Sequence, residues 1–242
     1  MPNISPRTNP EPTLHPVSTT KLERDLAKFG TVVGMDEVGR GALAGPVAVG
    51  ACVSPGTEPS HALADSKYLS AHAREELVSA AAKWAWPCAV GMASAAEVDE
   101  LGITGALRRA GLRALQMLIL EGAAVDVVLL DGTHDWLTPK PDLLSLDNAD
   151  DDTFVEVGSP RVTTKVKADA TCSVVSAASI VAKVTRDHLM ASLPDPGYGW
   201  ASNKGYASTA HRKALAELGI SAYHRQTWRL LPQLANDPTK KA

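Results

Sequence analysis

Residues 31–53, TVVGMDEVGRGALAGPVAVGACV (Thr31 to Val53), hold two apolar runs, two adjacent acids and a Gly-Arg-Gly turn. The runs predict two strands, at about 31–36 and 46–53, apolar enough to lie inside a sheet. Burying Asp36 and Glu37 beside Val32, Val33 and Met35 would cost several kcal/mol without a cation or strong donors, so the acids belong at a strand end. Gly39 and Gly41 let the backbone around Arg40 approach a ligand closely, and Gly45-Pro46 closes the turn. Acids followed by glycines also occur in an ordinary solvated hairpin. The rest of the chain decides between the two readings.

Downstream, the sequence alternates strand and helix signals. Residues 70–84 carry a helical stripe through Leu77, Ala81 and Trp84, capped by Ser70 and ended by Pro87. A strand at 88–93 follows, then the capping-box pair Ser94 and Glu97, with Gly102 ending that short helix. The next helix, capped by Thr104, buries Leu107, Gly111, Ala114, Leu115 and Leu118 and ends at Gly122. Val127 to Leu130 do not alternate with polar residues, which suits a strand buried on both faces, and Asp131 sits at its C-terminal end. Residues 133–159 are polar and acidic and read as a surface excursion. RVTTKVK is a further strand; it delivers KADAT, with Asp169, to a helix starting near Ser173. On that helix Ala177, Ala178 and Ala182 permit close packing on a sheet, while Arg186 and Asp187 read as solvent-facing or paired. The turn-rich YGWASNKGY leads to a last helix, capped by Ser208 or Thr209 and ended by Gly219.

Asp36, Glu37, Asp131 and Asp169 therefore all fall at strand ends or at a strand-helix junction. An all-carboxylate set selects hard cations, Mg²⁺ or Mn²⁺, and no zinc pattern competes. Two such ions can activate water and stabilise a leaving oxygen in phosphodiester hydrolysis. Adjacent strand residues point to opposite faces, so Glu37 needs either a break in the pleat or its backbone carbonyl to reach the same ion as Asp36.

Composition narrows the classes further. The 242 residues are 45% hydrophobic, enough to bury a sizeable core in one domain. No apolar run approaches about eighteen residues and no secretory pattern opens the chain, so the expected location is the cytoplasm, with no membrane partner. Cys52, Cys88 and Cys172 read as reduced core thiols rather than a disulfide framework. The net charge of −3 hides ten Lys or Arg against four acids between Ser159 and Arg229, a basic half suited to phosphates. Residues 1–20 hold five prolines and read as a disordered arm, followed by a catalytic domain at 21–231 and a tail at 232–242.

The ordered motifs GMDEVGRGALAGP, ADSKYLS, LLDG, KADA with AASIVAKVTRD, and YGWASNKGYAS with HRQTW resemble the ribonuclease HII (type 2 ribonuclease H) family from about Val33 to Trp228. The resemblance implies an α/β, RNase H-like fold: a mixed five-stranded sheet flanked by helices, with a helical C-terminal portion. The implied activity is endonucleolytic cleavage of the RNA strand of RNA-DNA hybrids, giving 5′-phosphate and 3′-hydroxyl ends. By motif match Asp36, Glu37, Asp131 and Asp169 are the catalytic, metal-binding acids, with Mn²⁺ or Mg²⁺ as cofactor. Gly39, Arg40 and Gly41 match the 2′-hydroxyl sensor, and Tyr206 matches the tyrosine that reads the DNA side of an RNA-DNA junction. Partners are then RNA-DNA hybrid and duplex DNA containing ribonucleotides, met by a monomer. Lys67 and Lys204 are candidate phosphate contacts, and His224 a weaker substrate candidate. Trp200 and Trp228 read as packing residues. Two rival classes are a related-fold metal-dependent DNA nuclease or resolvase, and a non-catalytic nucleic-acid-binding module. Neither explains both the Gly-Arg-Gly turn and four clustered acids.

Overall fold

A computed structural model describes residues 18–60, 63, 71–138 and 157–230. Its strands are β1 (Val32–Val38), β2 (Val47–Val53), β3 (Cys88–Ala93), β4 (Val127–Asp131) and β5 (Arg161–Lys165). Its helices are α1 (Lys21–Leu26), α2 (Ala71–Trp84), α3 (Ala95–Leu120), α4 (Ala168–Thr171), α5 (Ser173–Ser192), α6 (Trp200–Asn203) and α7 (Thr209–Leu218). The sheet order is β3-β2-β1-β4-β5. β1 runs antiparallel to β2 but parallel to β4, and β4 is parallel to β5, so β1, β4 and β5 end at one edge of the sheet. The acids carried on those strands are thereby brought to that edge.

The pleat sends alternate residues of β1 to two cores. Val33 and Met35 pack with Leu107, Ala110, Ala114 and Leu115 of α3 on one face. Val32 joins Val127, Leu129 and the small-residue face of α5 on the other. The approach of α5 to the sheet is closer than a side chain would allow: a Cβ on Gly50 would lie 2.2 Å from the Ala178 carbonyl oxygen. Glycine at this strand position thus sets the distance between the helix and the sheet beneath the future site.

Ser94 starts α3 with the capping box read from sequence, its hydroxyl accepting from the Glu97 amide and the Glu97 carboxylate from the Ser94 amide. Gly102, at φ 68° and ψ 166°, breaks the helical path inside α3, as its placement predicts. Ser208 caps α7, and Gly219 follows its end. The proposed Ser70 cap and Lys67 lie outside the described residues.

Several expectations are corrected. Cys52 and Cys88 face each other across the β2-β3 ladder with Cα atoms 4.2 Å apart and are joined as a disulfide, leaving Cys172 as the free, buried thiol. A sequence separation of 36 residues conceals this register pair. The last residues of the expected 1–20 arm, Ser18–Thr20, dock on the domain: Thr19 bridges Cys172, and the amide of Ser173 donates to the Thr19 carbonyl. The excursion at 133–159 opens with an anchor, because Trp136 and Leu137 are buried in the α3 core. Arg186 is fully buried rather than solvent-facing, while Asp187 pairs with Lys183.

Candidate active site

At the C-terminal edge of β1 and β4 lies a cleft of about 470 Å³ lined by Asp36, Glu37, Asp131 and Asp169 together with Gly39, Arg40, Gly41, Ser179, Lys183 and Tyr206. Asp36 and Asp131, far apart in sequence, meet because β1 and β4 are parallel neighbours. Asp36 shares its face of β1 with Gly34, which lies under Val174 of α5, and its side chain meets the Ser179 hydroxyl on the same helix. Glu37 leaves the opposite face of the pleat but reaches the cleft at the end of the strand, where its Oε1 accepts from Arg40 Nη1 at 3.2 Å. Asp131 Oδ1 accepts from the amides of Ala168 and Asp169 at 2.6 and 3.3 Å, which ties β4 to the short turn that carries the fourth acid.

The electrostatics are those of carboxylates crowded without enough water. Burial, opposed by the Ser179 hydroxyl and reinforced by the charges of Asp131, Glu37 and Asp169, raises the Asp36 pKa to about 7. Asp131 is also raised, by burial and by Asp169, against the pull of the neighbouring amides. Such a cluster is relieved by a cation, and an all-oxygen donor set suits a hard divalent one. Among the described residues no three such groups close to the spacing of a preformed metal cage. Protein donors engage these oxygens: the Glu37 amide on Asp36, Arg40 on Glu37 and two amides on Asp131. The residue types fit the ions, and the cleft brings all four to one place.

The Gly-Arg-Gly loop is held from behind by two buried arginines. Arg225 Nη1 donates to the Arg40 carbonyl at 2.8 Å, and its Nη2 to those of Gly39 and Gly45 at 2.6 and 3.3 Å. Arg186 donates to the carbonyls of Pro46, Lys204 and Ala44. Gly39 has φ +84°, and a Cβ there would lie 2.2 Å from Arg186 Nε, so both conformation and space demand glycine. Gly41 differs, since a Cβ there would meet nothing within 4 Å. The amide of Gly39 donates to the Tyr206 hydroxyl at 3.1 Å, and Arg186 lies 5.3 Å from the Tyr206 ring centre. Loop and tyrosine form one rim.

Lys204 does not join the cleft: its ammonium donates to the Ala201 carbonyl at 2.7 Å within its own turn. His224 is not a surface contact either, being buried against His211. Trp200 is fully buried, as read from sequence. Sequence reasoning missed the contacts of Ser179 with Asp36 and of Arg186 and Arg225 with the loop carbonyls. Arg225 lies inside the HRQTW motif, whereas the acceptors of Arg186 all come from other segments.

An acidic cleft at the shared edge of parallel strands in a mixed five-stranded sheet, with helices on both faces, defines a ribonuclease H-like nuclease. The chain belongs to the ribonuclease HII family: the Ribonuclease HII family model matches residues 33–231. A Streptomyces avermitilis ribonuclease HII is 41% identical over 227 residues, covering 93% of this chain and 87% of that one. A Thermus thermophilus ribonuclease HII is 41% identical over 208 residues, covering 85% and 90%. The solved ribonuclease H2 of Pyrococcus horikoshii OT3 is similar in fold, with a TM-score of 0.61, 25% identity, and coverage of 83% of this chain and 94% of that one. The chain is thus an enzyme, a ribonuclease H. Among the described residues no helix is long and apolar enough to cross a membrane.

Proposed function

We propose that this enzyme cleaves the RNA strand of RNA-DNA hybrids and also cuts 5′ of a single ribonucleotide embedded in duplex DNA, leaving 5′-phosphate and 3′-hydroxyl ends. The observation that carries this reading is the hydrogen bond between the Gly39 amide and the Tyr206 hydroxyl, which sets the Gly-Arg-Gly backbone and an aromatic ring side by side above four acids. The 2′-hydroxyl both donates and accepts and is what separates RNA from DNA at one position. Backbone groups at Gly39–Gly41, unobstructed at Gly41, suit that contact. Arg40, half-exposed at the rim and paired with Glu37 in the free enzyme, has the charge and fork to suit the adjacent phosphate. The Tyr206 ring, 36% exposed, suits packing against the sugar on the DNA side, where a 2′-hydroxyl would crowd it.

Asp36, Glu37, Asp131 and Asp169 would hold divalent ions, Mn²⁺ or Mg²⁺, and bound ions of this kind supply an activated water and charge stabilisation at phosphorus. Lys183 lines the same cleft but is partly neutralised by Asp187 at 2.6 Å, so its field on a phosphate is weakened. The test is cleavage of a duplex with one embedded ribonucleotide, beside an all-RNA/DNA hybrid and an all-DNA duplex, with Mg²⁺ and Mn²⁺ in parallel. Cleavage of the first two and not the third is the expected result. Cutting of all-DNA duplex would replace the reading with that of a DNA nuclease.

A further inference from the structure

Tyr206 is held at both ends. Its hydroxyl accepts from the Gly39 amide, and its carbonyl oxygen lies 2.8 Å from His211 Nδ1. A carbonyl only accepts, so His211 Nδ1 donates, and the Ser221 amide donating to His224 Nδ1 leaves His224 Nε2 as a donor and His211 Nε2 as its acceptor. That Nε2 is 3.0 Å from His224 Nε2, which must donate. His224 Nδ1 is then an acceptor, and the amide of Ser221 lies 3.0 Å away to donate to it, with the Ser221 hydroxyl beside it at 2.8 Å. Only one assignment of protons satisfies every contact: Ser221 N–H to His224, His224 Nε2–H to His211, and His211 Nδ1–H to the Tyr206 carbonyl.

The pair is sealed from water. His211 is 0% and His224 1% exposed. Trp200 meets both rings, with centroids at 5.2 and 5.3 Å, and Tyr198 meets the His224 ring edge-on at 4.8 Å. Burial, with the neighbouring His211 adding to it, pushes the His224 pKa down to about 4, consistent with a neutral ring. Ser208, two residues beyond Tyr206, caps the helix that carries His211, so the tyrosine and its anchor share one short, rigid path.

We infer that His211, ordered by His224, is a positioning residue that fixes Tyr206 for reading the RNA-DNA junction. The inference rests on the proposed role of Tyr206. Without the His211 N–H, the Tyr206 carbonyl keeps only the Ser208 amide at 2.8 Å, a neighbour on its own segment, and loses the donor that ties it to α7, so the ring can shift on the rim while the acids on β1, β4 and α4 keep their own supports. Junction cleavage should suffer more than cleavage inside an all-RNA strand.

The readout is the ratio of single-turnover rates on the single-ribonucleotide duplex and the all-RNA hybrid. Both rates come from one preparation, so the active fraction cancels. His211→Leu should lower the ratio by roughly five- to tenfold, the worth of about one hydrogen bond. His211→Asn, whose amide N–H can replace Nδ1–H, should restore the ratio to about twofold of the parent or better. If Tyr206→Ala lowers the ratio and His211→Leu does not, the positioning role is overturned while the junction reading stands. If Tyr206→Ala itself leaves the ratio unchanged, the junction reading fails and the positioning role with it. Nitrogen NMR of the rings at pH 7 gives a second arm that needs no variant. It should show His211 protonated on Nδ1 and His224 on Nε2; the opposite tautomer on His211 would overturn the relay.

Discussion

Arg225 Nη2 lies 2.6 Å from the carbonyl oxygen of Gly39, the residue whose amide reaches Tyr206. One peptide unit away, the same guanidinium takes the Arg40 carbonyl, and its plane lies 4.7 Å from the Trp228 ring centre. Its Nε is the buried side-chain nitrogen left without a partner among the described residues. The fork is therefore committed to the loop.

Arg225→Lys should destabilise the protein and slow cleavage. An ammonium cannot span three carbonyls with a planar fork, and each buried acceptor left bare costs about 1–3 kcal/mol. Melting temperature and the rate on an all-RNA hybrid should fall together. An unchanged melting temperature would remove Arg225 from the support of the loop.

Asp36→Asn and Asp131→Asn should each reduce turnover by roughly 10³-fold or more, since several kcal/mol of charge stabilisation depends on the ion each helps to hold. The melting temperature should stay level or rise, because Asp36 lies among the like charges of Glu37, Asp131 and Asp169. Turnover close to that of the parent would exclude the substituted acid from the metal site.

Gly39→Ala and Gly41→Ala should separate folding from function. The first forces a positive φ on alanine, at about 1–2 kcal/mol, and drives its Cβ into Arg186. The second has open space, so stability should change by about 0.5 kcal/mol or less, while the added methyl intrudes on the cleft and lowers the rate roughly tenfold or more. Thermal melts with single-turnover rates decide it; equal stability losses would contradict the geometry.

Glu97 gives an acid-side test away from the cleft. Burial opposes its ionisation, but the Arg113 guanidinium, the Ser94 amide and Arg109 outweigh it and lower its pKa to about 2. A carboxylate depressed in the fold contributes stability that is complete above about 4.5, its ordinary value, and is lost as pH falls through about 2. After screening, that contribution is on the order of 1–2 kcal/mol. Glu97→Gln should therefore melt lower than the parent at neutral pH and converge with it between pH 4.5 and 2. A gap that is constant across that range would refute the ion-pair account.

The strands were legible because apolar runs bounded by glycine and proline survive packing unchanged: β3 occupies the predicted 88–93, and Asp131 ends β4. The four acids were legible for the same reason, as charged residues in places where only an edge could tolerate them. What stayed hidden depends on partners remote in sequence. Nothing local marks Arg186 as buried, because its acceptors at Ala44, Pro46 and Lys204 come from other segments. The Cys52–Cys88 pair needed strand register, and the two histidines needed the fold of residues 198–224. Nothing local shows that the Tyr206 hydroxyl accepts from the Gly39 amide, so Tyr206→Phe has a cost that sequence could not foretell.

The clamp on residues 39–45 is closed from position 225. A polypeptide made from its N-terminus has its first two acids early, Asp131 and Asp169 much later, and the arginine that steadies the recognition loop later still. A chain stopped just short of Arg225 holds every acid of the cleft but lacks the guanidinium that grips the carbonyls of Gly39, Arg40 and Gly45, so the acids and the loop beside them are completed by separate parts of the sequence.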